Sequence, residues 1–212
     1  MKNGSRISAR NYTSQDVEVI RTDLAYSGFF QLRKYWLKHR LLQTGGWSKE
    51  ILRECFIRPQ AVSVLPYDPY EDAVILIEQF RVGALAQPTG PWQLELVAGI
   101  VKKDEKLDEV AIREAYEETG CAVMDLEYIA SYLSSPGGSS EKVTLYCGGI
   151  DSRGLGGIHG LYEEEGEDIW VQVYSREEAL HFLAEGYISN ATTIIGLQWL
   201  QMNYLRLRGK WR

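Results

Sequence analysis

The sequence predicts an α+β fold in which a mixed β-sheet lies between helices, preceded by a separate N-terminal β subdomain. Three observations predict it. Short runs of branched apolar residues recur up to residue 99, a helical period follows from Lys106, and more strand-like runs then precede two C-terminal helices. Because strands and helices do not alternate one by one, this order disfavours a doubly wound parallel sheet.

The N-terminal subdomain, residues 1–56, is predicted from extended runs that are separated by turn signals. Residues 17–36 are rich in β-forming residues around an aromatic turn, SGFF, and the Gly-Gly pair of LLQTGGW precedes the run ILRECFI. The remaining residues, 57–212, are predicted to form one larger domain. Its first strands are AVSVLP, AVILIEQF and WQLELVAG.

The first helix of the larger domain is indicated by a stripe of small apolar residues. Leu107, Ala111 and Ala115 recur every four residues, and Gly120 follows where a C-terminal cap would stand. Strands are predicted at LEYIASYL, EKVTLYCGG and DIWVQVY, with a glycine-rich stretch between the last two. Two helices, REEALHFLAEG and ATTIIGLQWLQMNYLRLR, complete the domain, the second with Asn190 as its N-cap.

Charge and hydropathy exclude two classes of protein. The 212 residues include 23 Lys and Arg against 29 Asp and Glu, a formal net charge of −6, and no basic run is present. Nucleic-acid binding is therefore not expected, because it depends on neutralising phosphates. No stretch of 18 apolar residues occurs, and the N-terminal residues lack an apolar run. We expect a cytoplasmic protein without membrane association.

The first helix also carries an acidic face. Glu114, Glu117 and Glu118 stand at i, i+3 and i+4, so their carboxylates share one side of the helix. Arg113 can pair with Glu117, which leaves the repulsion between Glu114 and Glu118 unrelieved. Such a face is either a solvated surface or a site for hard divalent cations, which prefer oxygen ligands.

The spacing of these glutamates and of the residues around them decides between these two interpretations. Residues 99–121 agree at all seven fixed positions with the pattern G-x5-E-x7-R-E-U-x-E-E-x-G-U, where U is apolar: Gly99, Glu105, Arg113, Glu114, Glu117, Glu118 and Gly120. Seven chance matches over this length have a probability of about one in a million at average residue usage. The segment resembles the Nudix box, with Ala115 and Cys121 smaller than the usual residues at U.

The resemblance to the Nudix family implies an α/β/α sandwich that binds Mg²⁺, with Mn²⁺ as the alternative, and hydrolyses a diphosphate. Carried over by position, it implies that Glu114, Glu118 and the Ala98 carbonyl are the main ligands and that Glu117 shares the site. Arg113 and Glu105 would orient the helix and its loop. A cation would neutralise the anionic diphosphate, which otherwise repels its nucleophile.

The rest of the chain is similar to the ADP-ribose pyrophosphatase subfamily. Pro136, 16 residues after the last box glycine, and the segments SGFF, LIEQFR, PWQLELVAG and GEDI carry this similarity. It implies hydrolysis of ADP-ribose to AMP and ribose 5-phosphate by a homodimer that exchanges its N-terminal strands. The implied substrate-binding residues are Phe29, Phe30, Arg53, Arg81, Ile100, Ser135, Pro136, Gly137 and Glu141.

The general base in this subfamily lies on a loop after the box, here GLYEEEGEDI at residues 160–169. The loop carries one extra residue relative to the family pattern, so the base is Glu164 or Glu165, depending on the end from which one counts. The adjoining strand DIWVQVY is the rigid side and favours Glu165, with Glu167 as a further metal ligand. Two other functions are considered: hydrolysis of GDP-mannose or another nucleotide sugar, and ligand binding by a catalytically inactive relative.

Overall fold

The computed structural model describes residues 11–159, 166 and 168–212, and they form two compact units. The first unit comprises Met1–Arg58 and Ser135–Glu141, and the second comprises Pro59–Ser134 and Lys142–Arg212. The first unit contains the N-terminal sheet. The segment from 135 to 141 joins that unit although it lies far along the chain.

The first unit is a three-stranded antiparallel sheet in the order β1-β2-β3. The strands are β1 (Val17–Ser27), β2 (Gln31–His39) and β3 (Ile51–Ile57). The predicted SGFF turn joins β1 to β2. β1 is an edge strand among the described residues, and all its residues are exposed, including the apolar side chains of Val19 and Leu24.

The second unit contains a mixed sheet of eight strands. Its main path runs β10-β11-β5-β4-β9-β8, with β6 paired to β5 and β7 to β4. Only the pair of β4 and β9 is parallel among the described strands. The strands are β4 (Ala61–Asp68), β5 (Ala73–Phe80), β6 (Trp92–Glu95), β7 (Val97–Ile100), β8 (Asp125–Leu133), β9 (Lys142–Gly149), β10 (Gly157–His159) and β11 (Ile169–Ser175).

Three helices of the described chain cover the two faces of this sheet: α1 (Leu107–Thr119), α2 (Arg176–Ala184) and α3 (Ala191–Trp211). The alternation of β5 shows the division of the core, because successive residues of a strand point to opposite faces. Val74 and Leu76 pack with residues of α2 and α3. Ile75 and Ile77 pack with Ala115 of α1. The predicted α/β/α arrangement with a mixed sheet is confirmed.

The helix ends follow the predicted caps. Gly120 ends α1 with φ 69°, in the left-handed region that glycine tolerates, and its N–H donates to the Tyr116 carbonyl. The Asn190 side chain accepts a hydrogen bond from the Thr193 N–H at 2.9 Å and so caps α3. No helix within the described ranges is both long and apolar enough to cross a membrane.

Two strands differ from the sequence prediction. The run WQLELVAG is divided into β6 and β7, because its first half pairs with β5 and its second half pairs with β4. The glycine-rich stretch after β9 contains the short strand β10, which pairs with β11. Both differences arise from a change of hydrogen-bonding partner, which a local pattern does not record.

Candidate active site

Helix α1 lies close to the sheet because its inner side chains are small. Ala111 and Ala115 are fully buried, Ala111 against β4 and Ala115 against β5 and β7. Leu107 packs at the edge of the same core. With the predicted stripe buried in this way, the glutamates at 114 and 118 are directed toward β7.

Glu114 packs directly on a glycine of β7. A Cβ placed on Gly99 would lie 1.9 Å from the Glu114 Oε1 atom and 2.0 Å from its Cδ atom. No real Cβ tolerates such a distance, so the carboxyl group can occupy this position only while residue 99 has no side chain. The requirement for glycine at position 99 is therefore one of space, since its φ is not among the positive values of the described glycines.

Glu118 reaches the adjacent residue of the same strand. Its side chain is 5% exposed, and its Oε2 atom accepts a hydrogen bond from the Ala98 N–H at 3.2 Å. Burying a carboxylate is costly unless it is paired or hydrogen-bonded. The two glutamates predicted as main metal ligands thus converge on residues 98–99, where the predicted carbonyl ligand is also located.

Arg113 holds the acidic groups of the box together. Its Nη1 atom donates to Glu117 Oε2 at 2.8 Å, as the spacing predicts. Its Nη2 atom lies 2.9 Å from Glu114 Oε1 and 3.6 Å from Glu105 Oε1, close enough for ion pairs but not aligned for a hydrogen bond. Burial alone would lower the pKa of Arg113, but the surrounding carboxylates outweigh it and raise the pKa.

Glu105 fixes the start of the same region. The Lys102 N–H donates to its second oxygen, Oε2, at 2.7 Å, which closes the turn between β7 and α1. One carboxylate therefore accepts a hydrogen bond from the loop and forms an ion pair with Arg113. The predicted orienting role of Glu105 and Arg113 is consistent with these contacts.

The donor set of this region fits a hard divalent cation. It consists of carboxylate oxygens and a main-chain carbonyl, which are the ligands that such cations prefer. Within the described ranges, no three His, Cys, Asp or Glu side chains already stand in an arrangement that would hold a metal ion. In the structure the Arg113 guanidinium supplies the positive charge next to Glu114 and Glu117.

The predicted general base lies outside the described residues. Glu164 and Glu165, together with the further predicted ligand Glu167, belong to this part of the chain. The structure describes the segment that precedes this part of the chain, where Gly154, Gly156 and Gly157 have φ of 78°, 129° and 103°. Residues with a Cβ rarely adopt these angles, so this segment requires glycine. The role of the loop stays a prediction.

The N-terminal unit contains an aromatic cluster around two predicted substrate-binding residues. Phe29 is 87% exposed and meets Phe30 edge to face, with 4.7 Å between ring centroids. Phe30 in turn meets Phe56 of β3 at 5.1 Å. The Arg58 guanidinium lies 4.5 Å above the Phe30 ring, a cation–π distance.

Arg58 joins this cluster to the segment from 135 to 141. Its Nε atom lies 3.0 Å from Glu141 Oε1, an ion pair without hydrogen-bond alignment. Its main chain exchanges hydrogen bonds with the Ser140 hydroxyl, and Phe56 does so with the main chain of Gly138 and Ser140. The sequence analysis did not single out Arg58, because its partners are 28 and 83 residues away.

The remaining predicted pocket residues are distributed over both units. Ser135, Pro136 and Gly137 form the turn that the Gly138 and Ser139 N–H groups close on the Ser135 carbonyl. Arg53 and Phe56 are three residues apart on β3, so their side chains point to opposite faces of the sheet. The structure therefore does not bring Arg53 into the aromatic cluster.

Arg81 and Ile100 belong to the second unit. Arg81 donates from Nε to Glu95 Oε2 at 2.7 Å. Glu95 pairs in register with Ile77, and Ile77 packs with Ala115, so this ion pair lies on the α1 face of the sheet. Ile100 is 38% exposed at the end of β7. The structure thus places Arg81 on the same face as the box helix.

Comparison with known proteins gives a consistent result. The family model described as the NUDIX domain matches residues 57–188. An ADP-ribose pyrophosphatase of Haemophilus influenzae is 45% identical over 206 residues, which cover 96% of this chain and 94% of that protein. The ADP-ribose pyrophosphatase of Escherichia coli (strain K12) is 44% identical over 200 residues, 94% of this chain and 95% of that protein.

Relatives of lower identity include proteins named GDP-mannose pyrophosphatase. A GDP-mannose pyrophosphatase of Cronobacter sakazakii is 33% identical over 192 residues, 89% of this chain and 97% of that protein. Among solved structures, one titled as the crystal structure of an ADP compounds hydrolase matches with a TM-score of 0.69. It is 20% identical and covers 94% of this chain and 98% of that chain, so it supports the fold.

Proposed function

The chain belongs to the Nudix family, and on that premise we propose that it hydrolyses the diphosphate bond of ADP-ribose to AMP and ribose 5-phosphate. The observation that carries the proposal is the convergence of Glu114 and Glu118 on residues 98–99. Holding a buried carboxylate at Glu118 next to a half-buried one at Glu114 is costly for folding, and a cation-dependent reaction gives a reason to retain them. A catalytically inactive relative would have no need to keep this arrangement complete.

The choice of ADP-ribose over a nucleotide sugar rests on the relatives. Proteins named ADP-ribose pyrophosphatase are 44–45% identical to this chain, and the GDP-mannose pyrophosphatase is 33% identical. Pro136 at the subfamily's position supports the same choice. GDP-mannose is therefore the second candidate substrate.

We assign the cation to Glu114, Glu118 and the Ala98 carbonyl, with Glu117 and Glu167 as further ligands. Mg²⁺ is the proposed metal and Mn²⁺ the alternative. When bound, a divalent cation neutralises the diphosphate and orients it for attack by water. The lack of a side chain at Gly99 leaves room for the Glu114 carboxyl group. The Ala98 N–H holds Glu118 by a hydrogen bond.

The other residues act on the substrate and on the attacking water. Glu165 accepts the proton of the water as it attacks phosphorus, and Glu164 is the alternative base. Phe29 presents an almost completely exposed ring on which adenine can stack. Phe30, Arg58 and Glu141 support that ring from behind. Arg81, held by Glu95, is available to an anionic or hydroxyl-bearing group of the substrate.

We further propose that the protein is a homodimer in which residues 25–55 of one chain contribute to the site of the other. The exposed apolar side chains of β1 and the almost fully exposed ring of Phe29 support this proposal. A three-stranded sheet with such a surface gains stability when a second surface covers it.

A product assay on a substrate panel tests the proposed function. The panel comprises ADP-ribose, ADP-glucose, NADH, GDP-mannose and diadenosine polyphosphates, each with Mg²⁺ and with a chelator. We expect AMP and ribose 5-phosphate from ADP-ribose, at a higher kcat/KM than for any other member and only with the metal. A higher kcat/KM for GDP-mannose would move the assignment to the second candidate. Absence of any product would favour an inactive ligand-binding protein.

A further inference from the structure

On the face of α2 and α3, the described helices leave one end of the large sheet uncovered. Leu94 of β6 still packs against the core that these helices form. The N-terminus of helix α3 lies next to Leu94, because the side-chain amide of its N-cap, Asn190, donates to the Leu94 carbonyl at 2.9 Å. Beyond this point Phe80 and Trp92 are 51% and 62% exposed, so the described helices do not cover them.

The strand register brings four side chains together on this uncovered face. Trp170 of β11 is the cross-strand partner of Glu78, and Phe80 is the cross-strand partner of Trp92. Glu78 and Phe80 are two residues apart on β5, so both pairs face the same way. Three of them, with Asp168 two positions before Trp170, line an indentation of about 220 Å³: Glu78, Trp92 and Trp170.

Both indole rings are exposed on strands of the sheet. Trp170 is 49% exposed, and its main chain is fixed in the ladder between β11 and β5. Trp92 is steadied by Phe80, which meets it edge to face at 5.8 Å. Large aromatic side chains are normally buried, so two exposed indoles around one indentation mark a binding surface.

The charged side chains that line the indentation in the described part of the chain are both acidic. Glu78 is half-buried and Asp168 is exposed. Among the residues that the structure describes, neither carboxylate lies within ion-pair distance of a Lys, Arg or His. An indole ring adds to this attraction wherever its face meets a cation, because its π-electrons carry a quadrupole. Among the described residues, the lining thus combines two carboxylates with two indole rings.

We propose that this aromatic indentation is a binding site for a small organic cation, of the methylated-ammonium class. A compact, weakly hydrated cation gains both from the ring faces and from the two carboxylates, whereas an inorganic ion would keep its water. The small volume favours a head group over a folded partner. The site is separate from the box, because Trp170 alternates with Ile169 and Val171, which pack with Ala115 on the α1 face.

A pair of matched probes tests this site on the intact protein. Choline and 3,3-dimethylbutan-1-ol have the same shape, but only choline is charged. We expect choline to bind saturably, measured by calorimetry and by tryptophan fluorescence, and about tenfold more tightly than the neutral analogue. Trp170→Leu and Glu78→Gln should each weaken choline binding, whereas Trp47→Phe should not, because Arg40 already lies over that ring at 4.3 Å.

Three readouts separate the possible outcomes. Hydrolysis of ADP-ribose should be unchanged in Trp170→Leu, so a failure of this site is distinguishable from a failure of the proposed function. Equal binding of the two probes, or no saturable binding of choline, would overturn the proposal. A change in oligomeric state in Trp170→Leu, measured by light scattering, would also overturn it by making this face a contact between copies of the chain.

Discussion

Replacing Gly99 by alanine should abolish hydrolysis while leaving the fold almost intact. The new Cβ would overlap the Glu114 carboxyl group, at 1.9 Å from Oε1 and 2.4 Å from Cγ. The overlapped atoms are the end of a flexible side chain, so Glu114 can rotate away at low cost in stability. Alanine also restricts the unfolded chain more than glycine does, which offsets part of that cost. The expected change in unfolding free energy is within about 1 kcal/mol.

The expected loss of activity is much larger than this change in stability. A carboxylate moved out of position no longer holds the proposed cation against the diphosphate, and losing one electrostatic contribution of the size of an oxyanion-hole donor costs about 10²–10³-fold in kcat. Initial rates of AMP release from ADP-ribose measure the loss, and thermal unfolding measures the fold. Gly209→Ala is a matched control on α3, where a Cβ meets nothing within 4 Å.

A double-mutant cycle makes the reasoning falsifiable. Glu114→Ala should lose activity to a similar extent, and adding Gly99→Ala to it should cost little more, because the two changes remove the same carboxylate from the same place. Full additivity, or near wild-type activity of Gly99→Ala alone, would refute the account of position 99.

Three further predictions concern other parts of the molecule. Glu165→Gln should lose about 10²–10⁴-fold in kcat with substrate affinity nearly kept, and Glu164→Gln should change little; the reverse pattern in a rate assay would move the base. Asp72→Asn should destabilise the protein by about 2 kcal/mol in denaturant unfolding at neutral pH, since it removes the charge from a partly buried, hydrogen-bonded pair with Arg176; a change below 1 kcal/mol would contradict this. Light scattering should give a dimer, and Phe29→Ala should raise KM for ADP-ribose; a monomer with full activity would exclude the shared site.

The same Asp72 network gives a pH dependence of stability with a defined sign. Burial alone would raise the pKa of Asp72, but hydrogen bonds from Arg176 and Tyr67 outweigh it and hold the pKa below its ordinary value of 3.8. Its contribution is therefore complete above about pH 4 and is lost as pH falls toward the depressed value. Asp72→Asn, which suits the φ of 54° at this position, should flatten the acid limb of the unfolding curve.

Local patterns predicted the parts of this structure that local forces determine. The stripe of Leu107, Ala111 and Ala115, the cap at Gly120 and the cap at Asn190 all depend on residues a few positions apart. The parallel pairing of β4 with β9 and the division of WQLELVAG depend on partners distant in the sequence. A pattern of apolar residues does not state which partner a strand will have.

The site shows the same distinction. The spacing of the box glutamates indicated one helical face, but it did not show that Glu114 fills the space over Gly99 or that Glu118 accepts the Ala98 N–H. In the sequence, the only signal for a functional role of Arg58 is its charge at the end of β3, directly before Pro59. Its role depends on contacts with Phe30 and Glu141, which the fold alone brings near it.

Glu118→Gln tests most directly whether the convergent glutamates of the box helix serve the proposed hydrolysis of ADP-ribose. Glutamine keeps the size of the side chain and an oxygen that accepts the Ala98 N–H, but it removes the negative charge. AMP release from ADP-ribose at saturating Mg²⁺ should fall by about 10²–10³-fold, with the melting temperature unchanged or higher. Near wild-type turnover by this variant, at any Mg²⁺ concentration, would contradict the assignment.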